Sequence, residues 1–249
     1  MNFTLLLLIH FLFLTQSVSE TRPEIALGIP DHAPWSAELF KYVSHDGLID
    51  YKAWKENQEP LDHYLKELSG DLPLSRWSQN VQLAYWLNIH NAYSIKQVLA
   101  HYPMASIREI DEGNARKTEW IVLDTAVFSL EEIEQHILYQ FKDPRIFFAL
   151  HYAAVSGAPL LNEAYEPHRI HDQLDDQVRH FLSDSTRNQI NDSSVVLSPV
   201  IEWHASTFKP DIHSFLNRYL EKPLPNGTEF DYFEFDWSID EQPEESVDK

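Results

Sequence analysis

Asn88 and Asn91 stand three residues apart in the run Ala84-Tyr-Trp-Leu-Asn-Ile-His-Asn-Ala-Tyr93. On a helix their amides are neighbours on one side. Such a pair can hold a substrate carbonyl or an oxyanion. It can also tie the helix to a neighbouring loop through buried hydrogen bonds, the commoner use of such amides. With His90, Tyr93 and Tyr152 they form the candidate ligand-binding set. A second group is His151-Tyr-Ala-Ala-Val-Ser156-Gly-Ala-Pro159, where small residues and Gly157 would let a ligand approach the backbone. Ser156 as nucleophile with His151 as base is the candidate catalytic pair. The G-x-S-x-G elbow is absent, and a packed turn with a satisfied histidine is the simpler reading. His168 and His171 form H-x-x-H with Asp172, Asp175 and Asp176 close behind. Neither H-E-x-x-H nor a three-ligand set accompanies them, so no metal and no cofactor is expected. Glu131-Glu132 and Asp175-Asp176 are consecutive and diverge on a helix, as solvated faces do. Phe230, Tyr232, Phe233, Phe235 and Trp237 could line a sugar or peptide groove, but their alternation reads first as a core strand.

These groups need elements to position them. Asn80 to Ala100 predicts the longest helix, with Val81, Ala84, Tyr85, Ala92, Ile95 and Leu99 on one face. Leu83, Trp86 and Tyr93 occupy the other face, so the helix should be buried on most sides. Ser129-Leu-Glu-Glu132 is a capping box opening a helix with Leu130, Ile133, Ile137 and Leu138 inward, ending before Asp143-Pro144. Asp172 to Leu182 and Asp211 to Leu220 are further amphipathic helices. Trp120 to Leu123 and Ala126 to Phe128 predict a hairpin about Asp124-Thr125, and Ser194 to Leu197 a short strand. Arg145 to Leu150 is too short for periodicity to choose between strand and buried helix. No βαβ rhythm or Gly-rich phosphate loop is present. The expected fold is therefore α+β: a single globular domain, helix-predominant, with short antiparallel strands.

Composition narrows the function classes. The 249 residues carry 43% apolar and 23% charged side chains, an ordinary globular mixture that excludes wholesale disorder, collagen and coiled coil. Thirty-nine acids against 19 Lys and Arg give a net charge of −20, which repels nucleic-acid phosphates and anionic lipid. The chain has no cysteine, which excludes disulfides, thiolate nucleophiles and Cys-ligated zinc or iron–sulfur sites. Phe3 to Leu14 is an apolar run followed by Ser17-Val18-Ser19, the layout of a signal peptide cleaved before Glu20. The run is too short for a hydrocarbon core of about 30 Å. The expected organisation is a signal peptide over 1–19, a strap over 20–31, one domain over 32–239 and a solvated acidic tail over 240–249. The mature chain would then be exported, periplasmic or secreted, with no stable membrane span.

The phrases of the chain also resemble a family in their order. Ala84 to Tyr93, then Ile95-Lys96 and His101-Tyr-Pro103, resembles the A-F-W-I-N-x-Y-N-A, I-K and x-Y-P phrases of the family called domain of unknown function 547 (DUF547). Asp50-Tyr51, Ser106-Ile107, Ser129-Leu-Glu-Glu-Ile-Glu134, Asp143-Pro-Arg-Ile146, Phe148-Ala-Leu150, Ala164-Tyr165, Gln173-Leu-Asp175, Phe181-Leu182, Leu197-Ser198, Trp203 and Asp236-Trp237 continue the series. The resemblance implies a family whose activity is not established, found in exported bacterial proteins and as a module of larger eukaryotic ones. Its members show H-F-A-L-x-C-A-S-x-x-C-P, which would suit thiol hydrolysis. This chain departs there: Phe147 replaces the His, Tyr152 the first Cys and Gly157 the second. Gln135 stands where a His usually follows S-L-D-D-I-E, and His90 replaces a Tyr. Thiol chemistry cannot operate. The reading is a ligand-binding or protein-interaction module whose partner is a small molecule or a protein. Its alternatives are a hydrolase or transferase using Ser/His or His/carboxylate chemistry, and a metal-dependent enzyme.

Overall fold

The computed structural model describes residues 28–70, 76–191 and 194–243; the expected signal peptide and most of the strap lie outside them. Three helices come first: α1 (Ala33–Tyr42), α2 (Tyr51–Glu56) and α3 (Glu59–Ser69). Pro34 and Pro60 occupy first turns, where a missing N–H costs nothing, and Asp50 caps α2 by accepting the Ala53 N–H at 2.9 Å. Trp35, Tyr42, Trp54 and Tyr64 stack in a block that these helices share. The Trp54 indole N–H within the block donates to Glu38 at 3.1 Å.

The central element is α4 (Gln79–His101), capped by Ser78, within one residue of the expected bounds at each end. Every residue from Leu83 to Ile95 is buried, because helices and loops cover both the predicted apolar face and the opposite one. β1 (Ile121–Leu123) and β2 (Ala126–Phe128) form the expected antiparallel hairpin, Ile121 opposite Phe128. Ser129 makes the expected capping box: its hydroxyl accepts the Glu132 N–H at 3.1 Å, and the Glu132 carboxylate accepts the Ser129 N–H at 2.8 Å.

The helix opened by that box differs from the expected regular one. Only Leu130–Glu132 (α5) is α-helical; a π turn, Ile133–Ile137, and a 3-10 turn, Leu138–Phe141, complete it. The apolar residues still face inward, but the widened turn re-aims Glu134. Arg145 to Leu150 resolves to a buried 3-10 turn, Pro144–Phe148. α6 (Ile170–Ser183) packs against that turn.

β3 (Gln189–Ile190) pairs antiparallel with β4 (Val195–Leu197). β5 (Asp231–Tyr232) joins β4 in parallel, unlike the other strand pairs. α7 (Pro199–Trp203) lies between β4 and α8 (Ile212–Leu216). The helix expected over Asp211 to Leu220 is shorter, capped by Asp211 and continued as turns.

Two expectations about the C-terminal part are corrected. The alternating aromatics from Phe233 to Trp237 do not extend the sheet, because β4 ends at Leu197 and the Phe233 N–H to its carbonyl, at 3.0 Å, is the last such bond. Nor is the expected tail solvated where it begins, at Asp240, while its residues 244–249 lie outside those described. The Ile49 N–H donates to the Asp240 carbonyl and the Gln242 N–H to the Ile49 carbonyl, both at 2.9 Å, and the Asp240 side chain is buried. The alternation of charge with Pro misleads here because one carboxylate has specific buried partners.

Candidate functional site

The expected amide pair is built into the core. Asn88 donates to the Tyr165 carbonyl and accepts the Tyr165 N–H, both at 2.9 Å. Asn91 donates to the Ala149 carbonyl at 2.9 Å and accepts the His151 N–H at 3.0 Å. Each amide stands in for a peptide group and fixes a loop on α4. His90 is fully buried, and burial first, then the Arg116 charge, pushes its imidazole down to about 3. Tyr93 packs edge-on against Trp120. Asn88, His90, Asn91 and Tyr93 are buried, the two amides hold the frame, and none of the four lines the cleft described below.

His151 and Ser156 do not meet. The His151 Nε2 lies 2.8 Å from Asp240 Oδ2, its Nδ1 lies 3.1 Å from the Ser94 hydroxyl, and Tyr51 donates to Asp240 Oδ1 at 2.8 Å. Burial raises the Asp240 carboxyl, but the His151 charge and hydrogen bond and the Tyr51 hydroxyl outweigh it and hold the group below the usual carboxylate range. Ser94, His151 and Asp240 have the residue types of a triad, yet all three are buried, and the Ser94 hydroxyl donates to the His151 carbonyl at 2.9 Å. Ser156 instead accepts the Asp236 N–H at 2.9 Å. His168 and His171 are exposed, and the Arg145 guanidinium lies 3.0 Å from His171 Nδ1, a cation where a metal would have to approach.

Polar side chains converge elsewhere, on an open cleft of about 430 Å³. Arg116 follows the 3-10 segment Ile107–Gly113, Glu134 comes from the π turn, Tyr139 from the next 3-10 turn and His204 from the end of α7. Arg116 pairs with Glu134 and lies 4.2 Å over the Tyr152 ring. The Tyr152 hydroxyl donates to the same carboxylate at 3.3 Å. His204 bridges two hydroxyls, Tyr139 at 2.8 Å from Nδ1 and Tyr152 at 3.2 Å from Nε2. Since the Tyr152 proton goes to Glu134, His204 Nε2–H donates to Tyr152 and Nδ1 accepts from Tyr139. Burial, then Arg116, pushes the His204 imidazole down to about 3, so it is neutral at pH 7. Burial, then Glu134, pushes the Tyr152 phenol well up. Phe147 lies flat on the His204 ring, 3.7 Å between centroids and 4° from parallel.

Tyr152 alone of the expected ligand contacts lines this cleft. Arg116, Glu134, Tyr139 and His204 were not singled out by the sequence as site residues; the one available signal was Glu134 closing the S-L-E-E-I-E phrase. Three positions at which the chain departs from the resembling family meet here: Gln135 and Tyr152 line the cleft, and Phe147 backs His204. The groups can accept and donate protons and hydrogen bonds, but no activated nucleophile stands among the cleft residues named here. Among the described residues no group of three or more His, Asp and Glu could hold a metal ion. No described helix is long and apolar enough to cross a membrane.

Residues 74–182 match the model of a family described as protein of unknown function, DUF547. No curated protein and no solved structure matches the chain.

Proposed function

We propose, from the match of residues 74–182 to the DUF547 family model and from the geometry of the cleft, that the chain is an exported binding module that holds its ligand in the cleft over Arg116, Glu134, Tyr152 and His204 without thiol chemistry. The observation that carries the reading is the convergence of Gln135 and Tyr152 on one cleft, with Phe147 stacked behind its His204. There the family's His and Cys positions hold an amide, a phenyl ring and a phenol. A phenol whose proton is committed to Glu134 and whose ionisation is opposed by burial is a recognition group and not a nucleophile. The cleft has the size and mixed lining of a small-molecule site. Export rests on the apolar run Phe3 to Leu14 and is tested by N-terminal sequencing of the mature protein, expected to begin at Glu20.

The binding reading is tested by ligand-observed NMR of a chemically diverse fragment set, with Glu134→Ala as the cleft-disrupted control. Expected are fragments that bind the wild type, are lost in the variant and stay chemically unchanged over days. A cleft ligand that is consumed would instead support the His/carboxylate enzyme reading, for which His204 and Glu134 are the available acid–base groups. No cleft-dependent ligand at all would overturn the proposal.

A further inference from the structure

The mouth of the cleft carries an aromatic platform. Trp203 lies against Trp237, 5.9 Å between centroids and 18° from parallel, and against Phe235 at 4.8 Å. Arg108 stacks on Trp237 at 4.6 Å. Trp203 is nevertheless 45% exposed, and it lines the cleft. A large indole in that position leaves apolar area uncovered beside polar walls.

The polar walls set the chemistry of what covers it. Their ionised groups have both signs, Arg108, Arg116 and Lys117 against Glu131 and Glu134. Arg116 and Glu134 neutralise each other, and the Arg108 guanidinium is engaged on Trp237. Lys117 and Glu131 add one further charge of each sign to the lining. With charges of both signs in the lining, an anion or a cation entering would face a like charge as well as an opposite one, whereas hydroxyls can donate to the carboxylates and accept from the cations. Asn114 and Gln135, both exposed, add planar amides that donate and accept together. A neutral molecule with one flat C–H face and a rim of hydroxyls matches both halves of this site. The C–H face is attracted to the electron-rich indole, and vicinal hydroxyls pair with guanidinium, amide and carboxylate groups.

We propose that the cleft ligand is a saccharide, with a pyranose ring lying on Trp203 and its hydroxyls on the Arg116, Glu131, Glu134 and Gln135 side. This deepens, and rests on, the reading of the cleft as a binding site. The test titrates the full mature chain with methyl β-glucopyranoside, methyl β-galactopyranoside, methyl α-mannopyranoside, cellobiose and chitobiose. Phenylpropionate and phenylpropylamine serve as charged aromatic controls. Saturation-transfer NMR and tryptophan fluorescence are the readouts. At least one saccharide should bind saturably at millimolar concentration, with transfer strongest to its ring C–H protons. Trp203→Ala, verified as folded, should weaken it at least about 10-fold. Gln135→Ala, at an exposed side chain, should weaken it less and without a stability change. Binding of the saccharide should be the same at low and high salt, as a neutral ligand requires. If no saccharide binds, or binding survives Trp203→Ala, the proposal fails. Binding of a charged aromatic, or of any fragment lost in Glu134→Ala, would in that case leave the cleft a binding site for another class. Absence of every ligand would overturn both readings.

Discussion

At the residue scale, side-chain amides do in this protein what sheet ladders do elsewhere. Asn88 pairs with both backbone groups of Tyr165, and Asn91 spans Ala149 and His151. Gln173 accepts from Glu166 N–H and donates to the Ala164 carbonyl, and Asn188 joins Phe181 to Ser198. An amide offers one acceptor and two donors and so satisfies a loop peptide from both sides. Removing it strands two buried backbone groups, each costing about 1–3 kcal/mol. Asn88→Ala should therefore lower stability by about 2–6 kcal/mol in urea denaturation. Asn88→Asp should not rescue it, because a carboxylate accepts the Tyr165 N–H but cannot donate to its carbonyl. An unchanged midpoint in either variant would mean that Asn88 is not holding this loop.

At the element scale, the segment Ser238 to Gln242 is a clasp. The Ile239 N–H reaches the Ala105 carbonyl at 3.0 Å, Asp240 joins Tyr51 to His151, and the Gln242 amide donates to the carbonyls of Tyr42 and Leu48. The clasp thereby ties α1, α2 and the loop after the 3-10 turn Pro144–Phe148 to one another. Breaking a buried charged network from one side costs about 3–5 kcal/mol, because the remaining partners stay desolvated. Asp240→Ala should cost an amount in that range in chemical denaturation. Protection of the Ile49 amide in hydrogen exchange should fall with it. If the variant melts like wild type, the segment is an accessory and not a clasp. The π turn Ile133–Ile137 works on the same scale: it carries Glu134 inward to Arg116 and Tyr152 while Ser129 keeps its cap. Such turns recur at functional sites because they displace a side chain without ending a helix.

At the scale of the whole molecule, buried neutral histidines set the response to acid. Burial is the first cause that pushes His32 down to about 4, and His90 and His204 down to about 3, from an ordinary 6.5. Above 6.5 both folded and unfolded chains hold these rings neutral, and they add no pH dependence. Below it the unfolded chain takes up protons that the folded chain refuses, so stability falls as pH falls. Each ring contributes about 1.4 kcal/mol per pH unit until its folded value is reached. Burial raises the carboxyls of Glu38 and Glu166, which oppose this loss only as the pH nears the carboxylate range. The melting temperature should be level near pH 7–8 and drop steadily from about pH 6 to 4. His90→Gln, if folded, should make that drop shallower. A melting temperature that is flat or rising down to pH 5 would contradict this account.

The sequence by itself determined what depends on near neighbours along the chain. Apolar spacing located α4, the Ser129-Glu132 reciprocity located a helix start, and the turn at Asp124-Thr125 located a hairpin, because each is decided within a few residues. The ordered phrases from Ala84 to Leu182 carried the family resemblance for the same reason: they are strings, and strings are legible. The cleft is a product of tertiary packing. Arg116, Glu134, Tyr152 and His204 come from four segments with no common period, and their meeting depends on how a π turn, a loop and the end of α7 pack. The same holds for Asp240, acidic and next to Pro-containing sequence, yet buried by partners at Tyr51 and His151. It holds too for Phe235 and Trp237, whose alternation suits a strand until β4 runs out of edge to pair with them. Hydrogen bonds and stacking act over a few ångströms in space, whatever the separation along the chain.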